Sequence, residues 1–260
     1  MNNFFEIENP VTKFIEWSGS KNAFFWYDKE KGEKVFFDKP LAIIMIEQYF
    51  TIKGFHEQSG SGIFSNEIHN TKTERFNVRA HGTGTIAEGY YQDISGKIKA
   101  QGGKFCNSVY AVMGTDSEKG DYEIVNIQFY GSALGPFIDA KLRRNGNFII
   151  LSPGVEPKKK GSNKYFEPLI SQQPSPQMWK DIAVKEYENI LEYFKQRKAR
   201  KAQREQEEQQ NKEAFQEFKN ATSEIKEAYG STEIPKAEHP VSPPQENHFV
   251  EGNDDYSLPF

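Results

Sequence analysis

The stretch LAIIMIEQYFTIKGF, residues 41–55, joins an apolar run to β-branched and aromatic residues, which favour strands. It is too long for an ordinary strand unless the strand bends, and Gly54 is the predicted position of a bulge or bend. Its apolar run, residues 41–46, is the longest in the chain and is too short to cross a bilayer. The stretch therefore predicts a long, bent strand in a β-rich domain.

Shorter strand patterns lie on both sides of this stretch. FFWYD (24–28) and KVFFDK (34–39) flank KEKGE, a turn containing Gly32, and predict a hairpin. A last hairpin is predicted through PKKKGSNKYFEPL, with its turn near Gly161. Further strands are predicted at IFSNEI (63–68), RFNVRA (75–80), KFCNSVYAVMG (104–114), YEIVNIQFYG (122–131) and NFIILSP (147–153).

Two helical patterns interrupt the strands. YYQDISGKIKAQGG (90–103) places Ile94 and Ile98 one turn apart and ends in two glycines, a helix stop signal. SALGPFIDAKL (132–142) predicts a shorter helix. The expected fold class is mainly β with helices (α+β), and bent strands with an inserted helix fit an OB-type Greek-key barrel. A two-sheet sandwich fits nearly as well, because strand count alone does not determine closure.

Composition divides the chain near residue 175. Residues 1–175 hold 21 Lys+Arg, 20 Asp+Glu and 26 of the 36 aromatic residues, whereas residues 176–260 hold 12 Lys+Arg and 17 Asp+Glu. The first part is therefore the predicted globular, OB-like domain. The second part divides into a charged amphipathic helix (176–229), a disordered Pro-rich linker (230–250) and an acidic tip (251–260).

The first turns of the 176–229 helix carry an apolar face that we expect to pack on the β-domain. Its members are Trp179, Ile182, Ala183, Ile190, Leu191 and Phe194. The basic run KQRKARKAQR (195–204) that follows has two interpretations. It is either a solvated helix face or an auxiliary contact, to phosphates or to the acidic tip.

The compartment is predicted from two features. The start, MNNFFEIENP, has neither the basic nor the apolar region of a secretory signal. The single cysteine, Cys106, cannot form an internal disulfide and is expected to be a structural thiol in a strand. We therefore expect a soluble, cytoplasmic protein without a membrane segment, located in the bacterial host cytoplasm if a bacteriophage encodes it.

The chain carries none of the common enzymatic motifs. The chain has no GxxxxGK[ST], HExxH or GxSxG pattern and no Cys/His pair at metal-ligand spacing. HGTGT (81–85) is a weak match to a phosphate-binding loop and reads as a turn, and His56, His69 and His81 read as loop or surface residues. We expect no catalysis, no cofactor and no metal.

Cationic and aromatic residues alternate through the predicted β-domain. Proteins that bind single-stranded DNA without sequence preference combine a cationic groove with aromatic rings on which bases stack. In RFNVRA, alternation places Arg75 and Arg79 on one face and Phe76 in the core. The candidate DNA contacts are Lys53, Phe55, Arg75, Arg79, Lys104, Arg143, Arg144, Lys158, Lys159, Lys160, Lys164 and Tyr165.

The last residues, DDYSLPF, resemble the C-terminal tip of bacterial single-stranded DNA-binding proteins, in which acids precede a closing Pro-Phe. The matching residues are Asp254, Asp255, Leu258, Pro259 and Phe260, while Tyr256 and Ser257 are extra or substituted. The resemblance implies that the tip recruits replication, recombination and repair proteins. A terminal phenylalanine can enter an apolar pocket while its carboxylate and the acids meet basic groups.

The rest of the chain fits those bacterial proteins less well. It lacks their typical N-terminal pattern, and the predicted charged helix is not part of their usual plan. The segments GGKFCNSVYAV, IQFYGSALGPFID and KKKGSNKYFEP look more like divergent single-stranded DNA-binding proteins of bacterial viruses. A tetrameric assembly therefore does not carry over, although an oligomer is possible.

The leading hypothesis is a non-enzymatic protein that coats and protects single-stranded DNA during replication, recombination and repair, and recruits partners through its tip. One alternative is a recombination mediator or strand-annealing protein. A third hypothesis, of another class, is a protein-interaction scaffold that binds no DNA. Affinity for oligo-dT separates the first two from the third, and annealing of complementary strands separates the second from the first.

Overall fold

A computed structural model describes residues 9–116 and 121–229, in which strands dominate and helices lie between or after them. The strands are β1 (Lys13–Ser18), β2 (Ala23–Asp28), β3 (Glu33–Phe36), β4 (Leu41–His56), β5 (Ser61–Ser65), β6 (Phe76–Ala80), β7 (Gly84–Gly89), β8 (Gly103–Asp116), β9 (Asp121–Phe129), β10 (Phe148–Ser152), β11 (Lys158–Lys160), β12 (Asn163–Tyr165) and β13 (Leu169–Gln173). The helices are α1 (Tyr91–Ala100), α2 (Leu134–Asp139) with a preceding 3-10 turn (Gly131–Ala133), and α3 (Gln177–Tyr229).

Eleven of these strands form one mixed sheet. Its main path is β3-β2-β1-β9-β8-β4-β5-β6-β7, with β10 pairing β4 and β13 pairing β10, while β11 and β12 form a separate two-stranded sheet. The sheet is mixed because β1 and β9 run parallel. The pairings of the described strands do not close this sheet into a barrel. Many strands are combined with helices, so the predicted α+β class is confirmed, whereas closure into a barrel is not observed among the described strands.

The long strand β4 pairs with three other strands of this sheet. One edge pairs with β8 along almost the whole strand, whereas the other edge pairs with β10 near Leu41 and with β5 near His56. A register shift between Met45 and Glu47 interrupts the β4–β8 ladder. Such bulges bend a strand and increase its twist, so the predicted bend is present.

The bend does not lie at Gly54, where the sequence placed it. Gly54 keeps its register opposite Gly103 on one side and Ile63 on the other. A Cβ atom at Gly54 would lie 2.3 Å from the carbonyl oxygen of Gly102. Glycine is therefore required for the close approach of two backbones, which strand periodicity does not reveal.

Two groups of buried apolar residues pack along the sheet. The first centres on β1, β8 and β9, with Ile15, Val109 and Ile127 fully buried. The second lies between the β5–β6–β7 end of the sheet and α1, which contributes Ile94 and Ile98 as predicted. The hydrophobic core thus follows both the centre and one end of the sheet.

The described residues divide into two compact units, the first ending at Leu191 and the second beginning at Glu192. The first turns of α3 belong to the first unit, where Trp179, Ala183 and Ile190 are buried. Of the rest of the predicted apolar face, Ile182 is half-buried and Leu191 is 39% exposed. In the second unit α3 continues with Phe215 and Phe218 exposed.

Most strand predictions are confirmed, and three strands were missed. Both predicted hairpins form, between β2 and β3 and between β11 and β12. The missed strands are β1, β7 and β13. The predicted strand IFSNEI ends at Ser65, and in its second half Ile68 forms only an isolated bridge, to Phe50. HGTGT is predicted to form a turn, yet its last two residues begin β7. β7 is glycine-rich and β13 is largely polar, so both carry weak strand signals and pairing with the existing sheet decides them.

Candidate nucleic-acid interface

Four strands bring cationic and aromatic side chains into one row across the sheet. Lys104 of β8 lies opposite Lys53 of β4, which on its other side lies opposite Phe64 of β5. Phe64 in turn lies opposite Arg79 of β6. Directly opposed residues point to the same side of a sheet, so all four side chains share that side. The row joins residues from distant parts of the chain.

Two further rings extend this row. Phe55 lies two residues beyond Lys53 and therefore on the same side, with 45% of its surface exposed. The imidazole of His81 lies 4.8 Å from the ring of Phe64, centroid to centroid. We call the surface formed by Phe55, Phe64, Arg79, His81 and Lys104 the cationic–aromatic face. Arg79, His81 and Lys104 are exposed and Phe64 is half-buried, so this face is open to a ligand.

Strand alternation explains why these residues point outward. On β6, Phe76 and Val78 are fully buried in the second apolar group, which leaves Arg79 on the opposite side. This outcome confirms the predicted core position of Phe76. On β5, Ile63 is buried in the same group and its neighbour Phe64 therefore faces the other way.

Lys53 belongs to the row but not to its surface. Its side chain is 6% exposed, and its Nζ has no hydrogen-bond partner among the described residues. Burial lowers the pKa of Lys53, while the neighbouring Glu16, Cys106 and Glu67 act in the opposite direction. The sequence-based expectation that Lys53 contacts DNA is therefore not met in this structure, because a buried amine does not reach a phosphate.

Buried polar groups continue beneath Lys53 on the same side of β8. Ser108 Oγ donates to Glu67 Oε1 at 2.5 Å, and the hydroxyl of Tyr110 donates to Glu67 Oε2 at 2.7 Å. Asn126 Nδ2 donates to Ser108 Oγ at 2.7 Å. Cys106 is fully buried in β8, and burial raises the pKa of its thiol, which agrees with the predicted structural cysteine. This network lies on the same side of the sheet as the cationic–aromatic face, next to it.

Arg144 is tied into contacts with β4 and α3, although 48% of its side chain is exposed. Its Nη1 lies 2.7 Å from Glu47 Oε2, and its guanidinium carbon lies 5.1 Å from the ring centroid of Tyr187. These contacts connect the segment before β10 to β4 and to the first turns of α3. Arg143 is exposed beside it, and neither residue belongs to the cationic–aromatic row.

The remaining predicted cations lie on other elements. Arg75 is exposed and pairs with Glu88 at 3.6 Å. In the β11–β12 hairpin, Lys158 pairs with Glu167, and Tyr165 opposite it is half-buried. All four lysines of that hairpin are exposed: Lys158, Lys159, Lys160 and Lys164. The structure therefore separates the hairpin lysines from the row, and the predicted contacts that meet in the row are Lys53, Phe55, Arg79 and Lys104.

Sequence reasoning missed two members of the face, Phe64 and His81. Alternation in IFSNEI already opposes Phe64 to Ile63, but it does not say which of the two is buried. The strand register supplies that information. The predicted tip residues, Asp254, Asp255, Leu258, Pro259 and Phe260, and the predicted linker lie outside the described residues.

Comparison with known proteins returned no family model, no curated protein and no solved structure that matches this chain. Within residues 9–116 and 121–229, no helix combines the length and apolar character that a membrane crossing requires. The same residues contain no cluster of three or more His, Cys, Asp or Glu side chains arranged for a metal ion. The geometry of the face is thus the basis for a functional proposal.

Proposed function

We propose that this protein binds single-stranded DNA, without strong sequence preference, through the cationic–aromatic face. The observation that carries the proposal is the cross-strand row in which Phe64 lies between the buried Lys53 and the exposed Arg79, with Lys104 at the end of the row. Exposed rings offer stacking surfaces to bases, each worth about 1–3 kcal/mol, while the cations neutralise phosphates. Stacking does not depend on base identity, so sequence preference is weak.

The fold supports the proposal in a second way. We interpret the sheet as a divergent, open relative of the predicted OB-type barrel, because a long bent strand pairs with several partners and α1 is inserted between β7 and β8. Small barrels of this type bind oligonucleotides on a strand face. In that interpretation, the cationic–aromatic face corresponds to the strand face on which such a barrel binds its ligand.

The biological setting follows the hypothesis drawn from the sequence. We propose that the protein coats exposed strands during replication, recombination and repair in a bacterial cytoplasm, as a bacteriophage product, without catalysing a reaction. Its tip would recruit replication, recombination or repair proteins. The resemblance of DDYSLPF to the tip of bacterial single-stranded DNA-binding proteins supports this part of the proposal.

The charge of the face is tested with fluorescence anisotropy of labelled oligo-dT at several salt concentrations. Removing two cations in Arg79→Ala/Lys104→Ala should weaken binding at least tenfold. It should also reduce the slope of log K against log salt by about 1.4, since each phosphate contact of a single strand contributes about 0.7. The control Lys29→Ala/Lys39→Ala removes the same charge near the β2–β3 hairpin, at the other end of the sheet, and should change neither quantity.

The rings are tested separately. Phe64→Leu keeps an apolar side chain but removes the stacking surface, so affinity should fall at least fivefold, the weaker end of base stacking, while the salt slope stays the same. Equal affinity of wild type and both face variants would show that the DNA-binding surface lies elsewhere. A wild-type chain that ignores oligo-dT would refute the function itself.

A further inference from the structure

A cleft separates the helix α1 from the start of β8, on the side of the sheet opposite the cationic–aromatic face. Its cavity volume is about 410 Å³, and its walls include Tyr91, Ser95, Lys99, Lys104 and Phe105. Pockets that hold small organic ligands measure about 300–1,000 Å³. The cleft is therefore large enough for a group such as a nucleobase.

Aromatic rings form one wall of this cleft. The ring of Phe105 lies 5.4 Å from that of Phe50, nearly parallel at 30°, and 4.8 Å from that of Tyr91. Tyr91 and Phe105 are half-buried, so each is anchored in the second apolar group while part of its surface stays accessible. Rigid, partly exposed rings are suitable stacking partners for a base.

Cations lie at the rim. Lys99 is in the last turn of α1 and Lys104 is near the start of β8, and both are exposed. Residues 103–106 extend beyond the β8–β9 ladder, which begins at Asn107. Lys104 consequently lies where a ligand can pass from one side of the sheet to the other, and it belongs to both the cleft and the cationic–aromatic face.

We propose that this cleft is a second base-binding subsite for the same DNA strand. A base stacks on Tyr91 and Phe105, Lys99 and Lys104 hold the adjoining phosphates, and the strand crosses the sheet edge at Lys104. The two lysines favour an anionic strand over an apolar ligand, which would leave their charges without a counterpart. The inference rests on the proposed function, because it extends the path of the strand bound at the face.

The test measures the affinity of the full-length chain for oligo-dT of increasing length. Tyr91→Leu removes a stacking ring, whereas Tyr91→Phe retains it. Lys99→Gln removes a rim cation, whereas Lys97→Gln removes a cation of the same helix turn that does not line the cleft. Tyr91→Leu and Lys99→Gln should each weaken binding of long oligonucleotides about fivefold or more and leave the shortest bound ones unaffected.

The controls decide between outcomes. Lys99 is exposed, so its variant keeps the fold even if thermal unfolding shows that Tyr91→Leu is destabilised. Equal affinity of Lys99→Gln and Lys97→Gln at every length, together with equal affinity of the two Tyr91 variants, would overturn the subsite. If Phe64→Leu and Arg79→Ala/Lys104→Ala still weaken binding as expected for the face in that case, the proposed function survives without the subsite. Failure of wild type to bind oligo-dT of any length would refute both.

Discussion

Lys53 carries an amine into the interior of the sheet, where only 6% of the side chain is exposed. Its Nζ finds no hydrogen-bond partner within the described part of the chain. An unsatisfied buried donor costs about 1–3 kcal/mol, and more when it is charged. Lys53 therefore reduces the stability of the domain, and its pKa is lowered because burial disfavours the charged form.

Lys53→Met should accordingly raise the free energy of unfolding by about 1–3 kcal/mol at neutral pH. Since the folded-state pKa lies below the ordinary value of 10.5, the unfolded chain binds this proton more tightly. The penalty is complete below the folded pKa and disappears as pH rises toward 10.5. Urea unfolding at about pH 7 and about pH 9 should therefore show a smaller gain at the higher pH.

Lys104→Met is the matched control, because the exposed Lys104 lies directly opposite Lys53. It should change stability by less than about 0.5 kcal/mol at either pH. Lys53→Met should leave oligo-dT affinity unchanged. Destabilisation by Lys53→Met at both pH values would mean that the amine has a stabilising partner, contrary to this account.

At the scale of elements, the start of α3 packs closely on the sheet. Trp179 is 2% exposed, and a Cβ atom at Gly114 would lie 2.9 Å from its ring. The hydroxyl of Tyr122 donates to Glu186 Oε1 at 2.9 Å, which adds a polar contact about two helical turns beyond Trp179. The helix therefore belongs to the core of the first unit up to Leu191.

Trp179→Ala should lower the free energy of unfolding by about 3–5 kcal/mol, since it leaves a cavity where a large ring was buried. Urea denaturation followed by circular dichroism measures the loss. Met178→Ala, at the neighbouring residue with 47% exposure, should cost far less and serves as the control. Hydrogen exchange should be slow in residues 179–190 and faster in residues 192–229. Equal losses for the two variants would contradict this packing.

At the scale of the whole molecule, the two parts of the chain differ in charge. Residues 1–175 carry slightly more basic than acidic residues, whereas residues 176–260 are acidic and include Asp254 and Asp255. If the face binds DNA as proposed, acidic groups on the same chain compete with the phosphates for its cations. That competition is electrostatic and is screened by salt.

Deleting residues 258–260 should abolish the proposed recruitment of replication and repair proteins, because the apolar anchor and its carboxylate are lost together. Co-precipitation from a bacterial lysate, with Ser257→Ala as the control, measures this loss.

Asp254→Asn/Asp255→Asn should raise oligo-dT affinity about twofold to threefold at low salt. The gain should fade near 0.15 M salt, where the Debye length is about 8 Å. Loss of DNA binding on truncation would contradict the assignment of the tip.

The sequence by itself determined the features that depend on neighbouring residues. Alternation in RFNVRA placed Phe76 in the core and Arg79 outside, and the glycine pair after α1 predicted where that helix ends. The turn at Gly32 predicted the β2–β3 hairpin. Each of these rests on a period of two or 3.6 residues or on local turn chemistry, which a single segment carries in full.

Only the tertiary structure decided which strands are neighbours and in what register. Lys53 and Lys104 look alike in sequence, yet one is buried and the other exposed, although they lie directly opposite each other. Phe64 became part of the face because β5 pairs with β4 and β6 at one particular register. Pairing between distant segments is set by the combined burial of both partners, so no segment alone contains it.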